Sequence, residues 1–341
     1  MQNNIDKTGS EKMFFFHSES ATATVIGAVL LLGIIFSILT ILWVGCIPEW
    51  KSDAESSHMD DVFEDMAEVK SKIDMMSIVL ASNPNSSNVN SLNPSSSVPQ
   101  LIMSVPFHMG GGDIPLVGPI KSSGSLAVNK ENFTMSIIVV PEDSSTNYSR
   151  LIDCGTITYN SQNRYYVDQN FSYENGALIL DQRGQSVMML YPSIRFSKAL
   201  DADSDVAKYN ISINAVRVFQ TYVPPKVISS NRGSSLRLIG IDYRSLYDSN
   251  DDGKNLERLE LKVYTEHPKA WEQYLKKAVK DANIDLSTDC DILPGEEGLH
   301  TAEDKMHFIR LTFPKEGSTK VLKGLYVSET FVKAEPGIGL N

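Results

Sequence analysis

The sequence predicts a chain in two parts: an N-terminal membrane-spanning α-helix, then an all-β or mainly-β, sandwich-like head with one packed helix. Residues 21–47 contain no charged side chain, and a helix of roughly 20 apolar residues crosses a bilayer core. From Leu101 onward, alternating or β-branched runs recur between turn residues, which is how a sheet protein is written. A single later segment, Pro268 to Ala282, changes to helical spacing.

The bulk composition bounds the rest. The chain has 341 residues, with 31 Lys+Arg against 42 Asp+Glu and a net charge of −11. That length suits one large domain or two modest ones. The acidic balance excludes a duplex nucleic-acid binder, which needs a basic face to neutralise phosphates. It also excludes docking on anionic lipid through a polybasic patch. With 13 Tyr and 13 Phe, a packed core can form.

Residues 1–20 are a leader peptide or cytoplasmic tail, and 21–47 are the apolar helix. The apolar run is too long for the h-region of a cleaved secretory signal, about 7–15 residues. Val44-Gly45-Cys46 resembles the end of a lipobox, but Trp43 stands where a Leu-like residue is wanted. Trp43 and Trp50 sit where an interfacial aromatic belt would lie. Lys7 and Lys12 flank the N-side, whereas Lys51 is followed by Asp53, Glu55, Asp60, Asp61, Glu64, Asp65 and Glu68 before Lys70. The bias of basic residues places the N-terminus inside, the head outside, and membrane lipid around the helix.

Residues 48–80 read as an amphipathic helix. Val62, Met66, Val69, Ile73, Met76 and Leu80 fall at 4-3-4-3-4 spacing, a single buried seam. Joined to the first helix, residues 21–80 would reach about 90 Å at 1.5 Å per residue. Pro48 is expected to kink this helix or split it. Residues 81–100 are nearly all Ser, Asn and Pro, a flexible linker or long exposed loop.

Residues 101–341 form the β-rich head, with a candidate subdomain boundary near 225. Strands are expected at Thr134–Val140, Gly155–Tyr159, Ala177–Leu180, Ser186–Tyr191, Tyr209–Phe219, Leu259–Tyr264, His307–Phe313 and Leu325–Val332. Asn160–Asn163 is expected to turn a hairpin between Thr156–Tyr159 and Tyr165–Asp168. In the helix from Pro268, Trp271, Tyr274, Leu275, Ala278 and Val279 share one face, and Pro suits its first position.

Chemistry-bearing motifs are sparse. The six histidines form neither HExxH nor a His-x-His pair, and GxSxG, P-loop and dinucleotide fingerprints are lacking. His108-Met-Gly-Gly-Gly-Asp113 reads as a Gly-rich turn. Asp248, Asn250 and Asp252 stand at positions 1, 3 and 5 of a calcium-type loop with Gly253 at position 6, but position 12 is Leu259 instead of Glu. Calcium is the one cofactor the sequence suggests, competing with a plain polar hairpin loop. Of the three cysteines, Cys154 and Cys290 lie in the part placed outside, where a disulfide between them is as plausible as two buried thiols. Sequons occur at Asn85, Asn132, Asn147, Asn170 and Asn210.

The stretch Ser18-Glu-Ser-Ala-Thr-Ala-Thr-Val-Ile-Gly-Ala-Val-Leu-Leu-Leu-Gly33 resembles the N-terminus of archaeal type IV pilin-like proteins. Tyr173–Leu180 and His267–Tyr274 also look like segments of archaeal pilin-like surface proteins. The resemblance implies a prepilin-peptidase-like enzyme cutting between Ser20 and Ala21, and self-association through the apolar helix. It implies a non-enzymatic filament subunit or minor pilin with an extracellular head. The other expectation is a single-pass surface protein that never polymerises and uses its head for adhesion or ligand binding.

Overall fold

The computed structural model describes residues 16–82 and 101–338, apart from 112, 115–117, 121, 144–145, 200–205, 222–225, 253–255 and 299–304. Most of the expected leader, nearly all of the expected linker and the Asn85 sequon therefore lie outside the described residues.

Helix α1 (Phe16–Ile41) runs through a π-helical turn, Leu42–Cys46, into α2 (Ile47–Ser82). Residues Ala23 to Ser82 form one helix of 60 residues. Every residue from 23 to 45 is exposed, and this half is long and apolar enough to cross a membrane. Its hydroxyls fold back on the helix: Ser37 Oγ donates to Gly33 O at 2.8 Å and Thr40 Oγ1 to Phe36 O at 2.7 Å. Such bonds satisfy polar side chains where no water is present.

Pro48 does not split the helix. Its ring would crowd the carbonyl four residues earlier and it donates no N–H. The π turn just before it absorbs the misfit: Ile47 N donates to Leu42 O, five residues back.

The second half of the long helix is clamped in the head. Val62, Met66, Val69, Ile73 and Met76 of the expected seam are buried and Met59 extends it by one turn, whereas Leu80 at its far end is only half-buried. The buried seam residues share a core with Val105, Phe107, Leu126, Tyr159, Phe171, Tyr173, Leu236 and Val332.

The head contains three sheets with strands numbered β1–β18 in chain order. The first has the order β1 (Leu101–Phe107), β14 (Ser234–Asp248), β18 (Val321–Ile338), β12 (Lys208–Phe219), β11 (Ile194–Lys198). The second is β10 (Gln185–Leu190), β9 (Ala177–Gln182), β8 (Asn170–Glu174), β7 (Thr156–Gln162), β4 (Ser123–Val128), β13 (Val227–Ser230). The third is β16 (Asp291–Gly298), β17 (Lys305–Phe313), β15 (Leu256–Tyr264), β5 (Thr134–Pro141), β6 (Tyr148–Asp153). A two-stranded ribbon joins β2 (Asp113–Ile114) to β3 (Gly118–Pro119). Pairing within the three sheets is antiparallel except for β12 with β18. Strands from both sides of residue 225 occur in every sheet.

Helix α2 lies against β1 and β14 of the first sheet and β8 and β9 of the second. Helix α4 (Pro268–Asp281) follows one helical turn, α3 (Ser249–Asp252). It buries Trp271, Tyr274, Leu275 and Val279 in a second core, with Phe133, Met135, Ile179 and Leu261. Ala282 is its C-cap.

The expected hairpin is displaced. Strand β7 continues to Gln162 and its partner begins only at Asn170. The cause is Glu55 of α2, whose carboxylate accepts from the backbone N–H of Arg164 at 3.1 Å and of Tyr165 and Tyr166 at 2.7 Å. Those amides serve the helix instead of a sheet ladder.

Truncating the seam tests the clamp. Met66→Ala removes a fully buried side chain and is expected to lower unfolding free energy by about 2–5 kcal/mol. Ile78→Ala, on the exposed side of the same helix, should change it little. Urea denaturation of the two variants measures the difference.

Candidate functional site

Among the described residues, Glu131, Glu174 and His267 form a group of potential ligands. Glu131 lies in the loop after β4. Glu174 ends β8 at the tight turn Asn175-Gly176, both of which have positive φ, 48° and 82°. Asn175 holds its turn by accepting Val216 N at 2.6 Å. His267 is the N-cap of α4, placed by Pro268 at the first helical position and by its own N–H, which donates to Thr265 Oγ1 at 2.9 Å.

Glu174 is completely buried. Its Oε2 accepts Trp271 Nε1 at 2.7 Å and Thr265 Oγ1 at 2.8 Å. Its Oε1 has no partner, and neither has His267 Nε2. These two atoms lie 3.8 Å apart, and His267 Nε2 is also 3.8 Å from Glu131 Oε2. Glu131, half-buried, accepts Ser172 Oγ at 3.3 Å. On the other edge of the imidazole, Nδ1 is 3.0 Å from Ser186 Oγ, which donates to Asp181 Oδ2 at 2.7 Å. Phe133 stacks on Trp271 at 5.2 Å and closes the apolar side.

Burial raises the Glu174 carboxyl to about 7, partly opposed by His267, Trp271 and Thr265. Burial works against the His267 cation, but Glu131, Glu174 and Asp181 outweigh it and raise the imidazole above its ordinary value. The group can hold a shared proton or offer three ligand-type atoms. Ser186 spends its proton on Asp181, so its oxygen, not its O–H, faces the imidazole.

The sequence-marked residues fall elsewhere. Asp248 Oδ1 accepts Asn250 N at 2.9 Å and so caps the turn α3, which contains Asp252; Gly253 lies outside the described residues. Asp248 and Asn250 line an open cavity of about 420 Å³. The expected Cys154–Cys290 bridge is not formed: both are buried free thiols. Cys154 Sγ contacts Ile152 O at 3.7 Å and Cys290 Sγ contacts Asp285 O at 3.9 Å, each retained as a small apolar side chain. Asn132, Asn147, Asn170 and Asn210 are exposed. Ser20 and Ala21 lie within α1, and their side chains are outside the description. In the Gly-rich turn, Met109 is buried and Gly111 N donates to Ser122 Oγ at 2.9 Å, a packing role.

The three clustered residues were not marked by sequence because no spacing joins them. Glu174 precedes Asn-Gly and reads as an exposed hairpin end. The only local signal is the run His267-Pro-Lys-Ala-Trp271, which places a histidine and an indole on successive helical turns. Compared with models of protein families, with curated proteins and with solved structures, the chain matches none.

The buried carboxyl sets a pH dependence. Between about 4.5 and about 7, the unfolded chain has ionised Glu174 while the folded chain keeps its proton. The folded state then binds more protons, so its stability falls as pH rises through that window, by up to about 3 kcal/mol. The raised His267 acts in the same direction above 6.5. Urea denaturation at pH 5 and 7.5 in chelator-containing buffer should show this fall in the natural protein. Glu174→Gln should lose most of it.

Proposed function

We propose that this chain is a membrane-anchored, pilin-like subunit that associates with copies of itself through the bare half of its long helix and presents the β head outside the cell. The single observation behind this is one uninterrupted helix, Ala23–Ser82, that is wholly exposed and apolar at one end and embedded in the head at the other. A plain anchor needs only a flexible tether. A helix held rigidly in its head transmits the orientation of the membrane part to the head, which is what a repeating assembly needs.

Small residues support the same conclusion. Among the described residues, a Cβ added at Gly27, Gly33 or Gly45 would meet nothing within 4 Å. Glycine in a helix interior is disfavoured by about 1 kcal/mol relative to alanine, and no contact within the chain explains its use here. Small positions let neighbouring membrane helices approach closely, and Ala23 and Gly27 lie one turn apart. The acidic flank after Lys51, with Lys7 and Lys12 on the other side, supports an inside N-terminus. Cleavage between Ser20 and Ala21 by a prepilin-peptidase-like enzyme would remove both N-side lysines and ease transfer of the helix from lipid to polymer.

Gly27→Leu is expected to abolish or strongly reduce assembly while leaving the amount of membrane-inserted protein and the unfolding of the head unchanged. Electron microscopy and fractionation of sheared cell-surface material measure the first, and immunoblots of membranes the second. Protein in sheared fractions should begin at Ala21. A chain retaining Met1 that stays in the membrane, with surface filaments lacking it, would identify a single-pass surface protein instead.

A further inference from the structure

We infer that Glu131, Glu174 and His267 form a binding site for one divalent transition-metal ion, buried where α4 meets the second sheet. This site is independent of the assembly function proposed above, because it lies in the head, away from the bare helix.

The distances carry the inference. At 3.8 Å, His267 Nε2 is too far from either carboxylate oxygen for a hydrogen bond, which needs about 2.7–3.2 Å. Two ligands held about 2.1 Å from one ion in tetrahedral geometry stand about 3.4 Å apart. All three ligand atoms lie within 4.8 Å of one another; an ion would draw His267 about 0.4 Å closer to each carboxylate oxygen, and the half-exposed Glu131 can shift to close the remaining gap.

The orphaned atoms carry it further. Glu174 Oε1 and His267 Nε2 are both buried and unpartnered, and they face the same point. Leaving a buried polar atom unsatisfied is costly; a bound cation removes both deficits.

The opposite edge of the imidazole fixes the tautomer that binding requires. Ser186 Oγ donates to Asp181 at 2.7 Å, which leaves its lone pair to accept from His267 Nδ1–H at 3.0 Å. The proton is thereby held at Nδ1 and the Nε2 lone pair is turned toward the two carboxylates. Metal-binding histidines are oriented in this way by a partner on the other nitrogen. Likewise, Trp271 and Thr265 hold Glu174 Oε2, leaving Oε1 free to coordinate.

Chemistry and access narrow the ion. One imidazole with two carboxylates suits Zn²⁺, Mn²⁺ or Fe²⁺ better than Ca²⁺ or Mg²⁺, which prefer all-oxygen sets. Glu131 also lines a surface cavity of about 520 Å³ with Asn129, Asp153, Arg217 and Lys305. Of the three ligands, Glu131 is therefore the one that faces this cavity.

The test uses tag-free, full-length protein in detergent, stripped with chelator and then titrated with Zn²⁺. Elemental analysis after gel filtration should find one zinc per chain, and Tm should rise with added zinc. Co²⁺ substitution should give visible absorption bands of a low-coordinate site. Glu131→Gln, a conservative change at a half-exposed loop position, should reduce affinity at least tenfold with unchanged circular dichroism. His267→Gln should abolish the cobalt bands, and Asp248→Asn, at the calcium-type loop, should bind zinc as the natural protein does. The inference is overturned if the natural protein retains no zinc, or if Glu131→Gln and His267→Gln take it up with unchanged affinity.

Discussion

A single α-helix carries two different surfaces, and the rest of the structure is arranged around that requirement. Its first half is apolar, exposed and long enough to cross a membrane, and Ser37 and Thr40 bond to the helix's own carbonyls, as polar side chains do where water is absent. In its second half only a stripe is apolar, and the stripe is covered by two sheets. The change falls within a few residues, at the π turn and Pro48. A helix broken there would uncouple the head from the anchor. The π turn keeps the backbone bonded through a residue that cannot donate, at the expense of one wide turn. Trp43, within the π turn, and Trp50, just after Pro48, stand at the change, where an interface between apolar and aqueous surroundings favours such rings.

An apolar seam alone does not fix a helix along its axis, because a shift of one turn brings similar side chains into the same groove. Three of the six buried seam residues are methionines, whose flexible thioethers tolerate such repacking. Buried carboxylates supply the missing register. Glu55 collects three backbone N–H groups from the 164–166 loop. Asp65 accepts His108 N at 2.7 Å and lies 3.0 Å from His108 Nδ1. A one-turn slip would leave both carboxylates buried without donors, a penalty far above the loss of a few van der Waals contacts. The seam thus supplies adhesion and the acids supply position.

The parts of this organisation written locally were legible in the sequence. The uncharged run, the 4-3-4-3 seam and the Pro268 helix each depend on neighbours three or four residues away, and each appears where its spacing places it. The strands with clean alternation or β-branched runs, such as β5, β12, β15 and β17, were legible for the same reason. Shorter or more polar strands were not, and neither was the long β14, because Gly240 and the charged Asp242 and Arg244 break its alternation; register shifts between Gly240 and Asp242 and between Ser245 and Tyr247 absorb them. The hairpin after β7 was misplaced because its turn is determined by Glu55, more than a hundred residues earlier. The sequence left Cys154 and Cys290 open between a disulfide and two buried thiols, and the fold has the latter; no spacing decides between them. The Glu131–Glu174–His267 group was invisible for the same cause: it exists only where a loop, a strand end and a helix cap converge.

Two fully buried glutamates in this head are treated in opposite ways, and the contrast gives the second one its meaning. Glu55 is 0% exposed and both of its oxygens accept backbone donors. It is a finished structural anchor. Glu174 is equally buried, yet two strong donors converge on one oxygen and the other is left bare, facing a bare imidazole nitrogen. Donors stand nearby, since Ser172 Oγ donates to Glu131 Oε2 and Thr265 Oγ1 to Glu174 Oε2. Neither is directed to the inner pair, Glu174 Oε1 and His267 Nε2. If Glu174 served only to hold the β8–β9 turn against α4, a glutamine could make the same two contacts through its carbonyl oxygen without burying a charge. A glutamate there, with one oxygen secured and one free, has the form of a ligand held ready by its surroundings.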